Sequence, residues 1–244
     1  MLVFLLDEYA DDAVRPCEYK KRFRKRKQKH ISQSVPRDYK RYSFNENGSL
    51  HFVIEAGEAF YRSESFLLLK KRFKGAVLSS QALIDKNILT KDDLFDAGRY
   101  YSFCTVRSLI MLLVSGKYTD SRICVFDKDG IFIDRYLKVM CFVKAFYIFT
   151  ENTDGFQKLS ENCFSDFGFR PVLLKNSKKP ECDLFADIDN SDCGVLTLQV
   201  NNGEIMLPPY RCIIKTDENL TALIRKGVSR DYVTAAFLQY DSFI

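Results

Sequence analysis

The residues with the clearest chemical potential in this sequence are two carboxylates set one position apart behind an apolar run, in Val125-Phe126-Asp127-Lys128-Asp129-Gly130-Ile131. Asp and Gly are ordinary turn residues, so the simplest reading is a polar turn that follows a buried strand. The next apolar run ends on Thr150-Glu151-Asn152. If both runs are parallel strands, their polar ends meet at one sheet edge, which is where open α/β sheets bind ligands. Asp127, Asp129, Gly130, Thr150, Glu151 and Asn152 are therefore the candidate ligand-binding residues. Asp183, Asp187, Asp189 and Asp192 crowd a later stretch and offer oxygen ligands to a hard cation. Their irregular spacing matches no calcium loop, and solvated acids are the favoured reading.

Other catalytic and metal-binding chemistries find little support. The eight cysteines, Cys17, Cys104, Cys124, Cys141, Cys163, Cys182, Cys193 and Cys212, include no pair closer than 11 positions, so no C-x-x-C knuckle exists. The two histidines, His30 and His51, have no ligand-spaced partner, and no metal site is expected. Scarce histidine also argues against Ser-His-Asp and Cys-His mechanisms, which need an imidazole base. Reduced, buried thiols are expected, with Cys124 and Cys141 in apolar stretches and Cys163 on the apolar face of a helix.

The net charge of +5 is unevenly placed. Residues 1–14 carry four acids and no base, whereas residues 15–41 hold 12 Lys or Arg against Glu18 and Asp38. The densest part contains Lys20, Lys21, Arg22, Arg24, Lys25, Arg26 and Lys27. Such a run can neutralise nucleic-acid phosphates while Tyr19, Phe23, Tyr39 and Tyr42 stack on bases. It can equally be a solvated helix anchored by Tyr19 and Phe23, four apart. No recognised nucleic-acid module accompanies it, so nucleic acid is not the favoured partner.

The elements that must position these groups follow from composition and periodicity. With 244 residues, 46% hydrophobic, 21 Phe, 13 Tyr and no Trp, the chain is too apolar for disorder. It allows one large domain or one medium domain with a smaller partner. The longest strictly apolar run in the middle of the chain, residues 109–114, is far short of the roughly 20 residues of a membrane span. The apolar residues 1–6 have no base before them and meet acids, opposite to a secretory signal, so a soluble, cytoplasmic protein is expected. Residues 39–52 read as a hairpin turning at Asn45-Glu46-Asn47-Gly48, and residues 60–69 as its continuation in the sheet. Thr90-x-x-Asp93 resembles a capping box ahead of a helix marked by Phe103, Val106, Ile110 and Leu113 and ending at Gly116.

From residue 122 onward short strands alternate with helices. Strands are expected at 122–126, 146–150, 171–174, 184–188 and 194–200. One helix is marked by Ile133, Leu137, Met140 and Cys141, and another by Phe156, Leu159, Cys163, Phe164 and Phe167 before Gly168. That order implies right-handed βαβ crossovers and a parallel sheet. Two helices close the chain, opening near Thr216 and at Ser229, the second with a stripe of Val233, Ala236, Phe237 and Tyr240. The fold class is α/β: a Rossmann-like parallel sheet with helices on both faces, preceded by a small basic α+β unit. The boundaries are 1–74 for that unit and 75–244 for the helical lead-in and the Rossmann-like domain.

Over roughly residues 100–240 this order resembles the Rossmann domain of shikimate dehydrogenase-like proteins. The resemblance implies NAD(P) at the strand ends, with Glu151 holding a ribose hydroxyl. Asp127, Asp129 and Phe132 occupy the places of that family's three glycines, so the reading is a degenerate fold without standard NAD chemistry. Locally, residues 125–131 resemble the first motif of haloacid dehalogenase-type phosphohydrolases. That resemblance implies Asp127 as nucleophile, Asp129 as general acid/base and a bound Mg²⁺. Thr150 then matches the second motif, Lys175, Lys178 or Lys179 the lysine, and Asp187, Asp189 or Asp192 the distal acids.

The function expected is that of a ligand- or partner-binding protein without a resident cofactor. A Mg²⁺-dependent phosphohydrolase using Asp127 and a nucleic-acid-associated protein using residues 15–41 are the alternatives. The sequence names no partner and is compatible with a homo-oligomer.

Overall fold

The opening run Val3-Phe4-Leu5-Leu6 has no polar alternation, the pattern of a strand covered on both faces. A computed structural model describes residues 1–7, 39–176, 178–191, 194–200, 203–212 and 214–240. In it the run is β1 (Val3–Asp7), buried along its whole length. There follow β2 (Tyr39–Glu46), β3 (Ser49–Ala56), α1 (Glu58–Tyr61), α2 (Glu64–Arg72), β4 (Val77–Ser79) and α3 (Gln81–Asp85). After α4 (Gly98–Val114) come β5 (Ser121–Phe126), a 3₁₀ helix (Ile133–Phe142), β6 (Val143–Phe149), α5 (Thr153–Phe167), β7 (Val172–Leu173), β8 (Leu184–Asp187), β9 (Leu196–Val200) and β10 (Gly203–Leu207). The last helices are α6 (Glu218–Arg225) and α7 (Arg230–Phe237). The protein is mixed α/β, and no helix among the described residues is long and apolar enough to cross a membrane.

The chain separates into two compact units, Met1–Ala97 with Ile213–Ile244, and Gly98–Cys212. Residue 74, where the sequence suggests a boundary, lies between α2 and β4 inside the first unit. The first unit is built on a sheet of order β2-β3-β1-β4, with β1 parallel to β3 and β4 and the β2–β3 hairpin antiparallel. Alternation sorts its side chains by face. Val3, Leu5, Ile54, Ala56 and Val77 pack with Phe60, Tyr61, Phe66 and Leu83 from the helices that follow the strands. Phe4, Leu6, Val53 and Leu78 pack with Leu220, Leu223, Val228 and Val233. This sheet thus carries helices on both faces, and the C-terminal helices complete the first unit rather than continuing the second.

Two expectations in this unit need correction. Residues 60–69 are helical, not a strand. Ser63 caps α2 by accepting a hydrogen bond from Phe66 N at 3.3 Å, and Lys70, Lys71 and Arg72 stand in its last turn, where cations favour the helix dipole. The Thr90–Asp93 capping box is real, but it closes only the short 3₁₀ turn Lys91–Asp93, and the long helix starts at Gly98.

The second unit holds a six-stranded sheet of order β10-β9-β8-β5-β6-β7. β5, β6, β7 and β8 are parallel, with helices linking β5 to β6 and β6 to β7, while β9 and β10 form an antiparallel hairpin on the β8 side. Ile123, Val125, Phe146, Ile148, Leu184 and Ala186 line one face and are buried. Tyr136 of the 3₁₀ helix packs its ring 5.4 Å from Phe146 on that face. The opposite face carries the half-buried Phe126, Phe149 and Phe185, with the Phe126 ring 5.4 Å from Phe149 and 5.0 Å from Phe185.

The segment between β5 and β6 is helical, as expected, but its winding is 3₁₀. Ile133, Tyr136 and Val139, three apart, are therefore the buried residues along with Met140. Leu137 turns half out, and Cys141 is exposed where burial was expected.

Candidate functional site at the carboxyl ends of the second sheet

After β5 the chain runs to β6 and β7 on one side, then returns to β8 on the other. The strand order reverses between β5 and β8, the kind of crevice where α/β sheets take ligands. Asp127 to Gly130 leave the end of β5, Thr150 to Asn152 the end of β6, and Ile188 to Asn190 the end of β8. The six candidate ligand-binding residues and two of the distal acids, Asp187 and Asp189, are thus at one edge.

What fills that edge is the protein itself. The buried Asp127 carboxylate accepts from Gly130 N at 3.0 Å and from the Tyr136 hydroxyl at 2.8 Å. Lys128 N donates to both oxygens of Asp189, at 3.2 and 3.1 Å, and Ile188 N to Phe126 O at 2.8 Å. Glu151 N and the Thr150 hydroxyl both donate to Lys128 O, at 2.8 and 3.1 Å. Asn152 joins two elements: its Nδ2 donates to Gly130 O at 3.0 Å, and its Oδ1 caps α5 by accepting from Gly155 N at 2.9 Å. Gly130 has φ of +52°, and a Cβ there would lie 2.6 Å from Thr150 Oγ1, so only glycine fits. Lys128 and Glu151 form a 3.6 Å ion pair across the rim, exposed and of small energetic weight. Asp129 projects outward and is exposed.

The electrostatics follow from this closure. Burial pushes the Asp127 carboxyl above its ordinary range, the Tyr136 and Gly130 hydrogen bonds pull it back, and Asp189 and Asp129 raise it further. Asp189 is raised as well, first by desolvation, against the pull of the Lys128 amide, with Asp187 and Asp129 adding to the rise. The Tyr136 phenol, fully enclosed beside Asp127, is held well above its usual value by burial first and the carboxylate second. The edge is acidic, and its innermost acid is locked.

The remaining candidates disperse. Asp183 binds Arg122, accepting from its backbone N at 2.8 Å and from its guanidinium at 3.3 Å. Asp187 accepts from the Asn190 side chain at 2.6 Å, and Lys179 donates to Gln199 at 3.0 Å. Among the described residues no group of three or more His, Cys, Asp or Glu side chains could hold a metal ion. Asp192 and the basic residues Lys20, Lys21, Arg22, Arg24, Lys25, Arg26 and Lys27 lie outside the described residues.

Sequence reasoning missed Tyr136 as the partner of Asp127 because an α-helical period places Ile133 and Leu137, not Tyr136, toward the core. A three-residue period would have found it. Compared with known proteins, the chain matches no family model, no curated protein and no solved structure.

Proposed function

We propose that the protein is a ligand- or partner-binding protein whose Rossmann-like unit performs no standard dinucleotide chemistry. One observation carries this reading. In a dinucleotide fold, the backbone amides just beyond the first strand receive the pyrophosphate. Here the Lys128 and Gly130 amides are both donated to carboxylates of the chain, Asp189 and Asp127. A phosphate would have to displace two anions, and like charges in close contact repel by roughly 1–4 kcal/mol between water and protein-surface dielectrics. The carboxylates exposed at this rim, Asp129, Glu151 and Asp189, suit a non-phosphorylated, hydroxyl-bearing or cationic surface.

Thermal denaturation with millimolar NAD, NADP and ATP tests the reading. No shift of the midpoint is expected for the natural chain, since only ligands that bind the folded state raise it. A rise with NAD, strengthened when Asp127 and Asp129 are both changed to Gly, would replace the proposal with weak dinucleotide binding.

A Mg²⁺-dependent phosphohydrolase remains the second reading. What favours it is that Asp127, Thr150, Asp187 and Asp189 stand at or just beyond the ends of β5, β6 and β8, the neighbouring strands that such a site would use. Against it, both Asp127 oxygens accept internal hydrogen bonds. Hydrolysis of 4-nitrophenyl phosphate that needs Mg²⁺ and disappears in Asp127→Asn would establish this second reading. No turnover is expected.

A further inference from the structure

The first unit holds a cavity of about 390 Å³ between α1, α2 and the β2–β3–β1 part of its sheet. Its walls are apolar and rich in rings. Tyr39 and Phe60 stack at 4.7 Å between centroids with an interplanar angle of 27°, and Phe52 and Phe73 add two further faces. Two arginines line the same space. The Arg41 guanidinium lies 4.7 Å over the Phe52 ring, and that of Arg72 lies 5.7 Å over Phe73. Among the described residues neither is in an ion pair with a carboxylate, and both are exposed.

We propose that this cavity binds a small amphipathic carboxylate with an aromatic body of about two rings. Size supports the body: a cavity of roughly 150 Å³ accepts one benzene, and ligand sites of about 300–1,000 Å³ are usual. Charge supports the head. Guanidinium groups resting on ring faces are held in place with their N–H edges free, and that edge matches a carboxylate in a two-pronged hydrogen bond. Two guanidinium groups without a carboxylate partner among the described residues, beside an apolar hollow, give such a ligand both its grip and its orientation. The cavity belongs to the first unit alone, so this proposal stands or falls separately from the reading of the second unit's strand ends.

Calorimetric titration of the full chain with 1-naphthaleneacetate, and with the neutral 2-(1-naphthyl)ethanol, tests it. The acid is expected to bind more tightly than the alcohol, with the negative heat-capacity change of apolar burial. Arg41→Gln with Arg72→Gln should weaken the acid by about tenfold or more while leaving the alcohol unchanged. Leu68→Glu, at a lining position that is 70% exposed and so tolerant of substitution, should also weaken the acid selectively. Equal affinity for acid and alcohol, or indifference to both sets of substitutions, would overturn the proposal. So would no binding at millimolar probe, or displacement of the probe by a single-stranded oligonucleotide, which would make the surface a nucleic-acid site.

Discussion

Asp127 shows how burial changes the meaning of a residue that looks like a surface turn. At 5% exposure, with two donors on its carboxylate, it is part of the interior. Asp127→Ala should cost about 1–3 kcal/mol by stranding the Gly130 amide and the Tyr136 hydroxyl. The folded-state value of this carboxyl is raised above its ordinary 3.8, so the protonated form is the better tolerated one. The stability it contributes is therefore fully present below that ordinary value and is lost as pH rises through the raised one. Chemical denaturation of the natural chain and of Asp127→Asn should show the natural chain's relative advantage shrinking as pH climbs through that window. A constant difference across it would contradict the raised value. The thiols give a second residue-scale outcome. Burial pushes Cys124 up to about 12, whereas Cys141 is exposed. A maleimide at pH 8, followed by peptide mapping, should modify Cys141 early and Cys124 only on unfolding. That the acids and Thr150 gather at one edge was legible in the sequence, because apolar runs ending in polar residues announce strand ends. The lock on Asp127 was not, because it depends on the phase of a helix that periodicity alone assigned wrongly.

Among the elements, the loop beyond β5 and the start of α5 act as one piece through Asn152. Replacing it by Ala removes an N-cap, worth about 1 kcal/mol, and also leaves Gly130 O without its donor. Urea denaturation should show a loss nearer 2 kcal/mol. Asn152→Asp should recover the capping share alone, since it keeps the acceptor for Gly155 N and loses the amide for Gly130 O. If both variants cost the same, the tie to Gly130 is without weight. The sheet of the second unit was readable because helices separate the parallel strands β5, β6 and β7 from residue 121 onward. In the first unit the sequence reading assigns no element to β1 and a strand to what is α2. An unbroken apolar run is equally consistent with several buried elements, so β1 is identified only by its partners β3 and β4. In α2 the apolar residues spread around the helix, with Phe66 buried and Leu68 largely exposed, so no period stands out.

At the scale of the whole molecule, the first unit is discontinuous in sequence and the second is not. A fragment of residues 98–212 holds all six strands of its sheet and should unfold cooperatively by circular dichroism. A fragment of residues 1–97 lacks Leu220, Leu223, Val228 and Val233, which cover Phe4, Leu6, Val53 and Leu78. Each such side chain buries about 1.5–3 kcal/mol of transfer free energy, so that fragment should bind a hydrophobic dye and lack a sharp transition. Adding a peptide of residues 213–244 should restore one. Cooperative unfolding of 1–97 alone would show the C-terminal helices to be dispensable. This arrangement also sets an order in time. On the ribosome, β1 emerges before β5–β10, yet one face of its sheet waits for α6 and α7 until the whole second unit has been made. Domains generally fold as units during synthesis, beginning from the N-terminus. Here the second unit is able to finish before the first, and the nascent first unit must wait through that interval without the helices that cover Phe4, Leu6, Val53 and Leu78, a natural client for a chaperone.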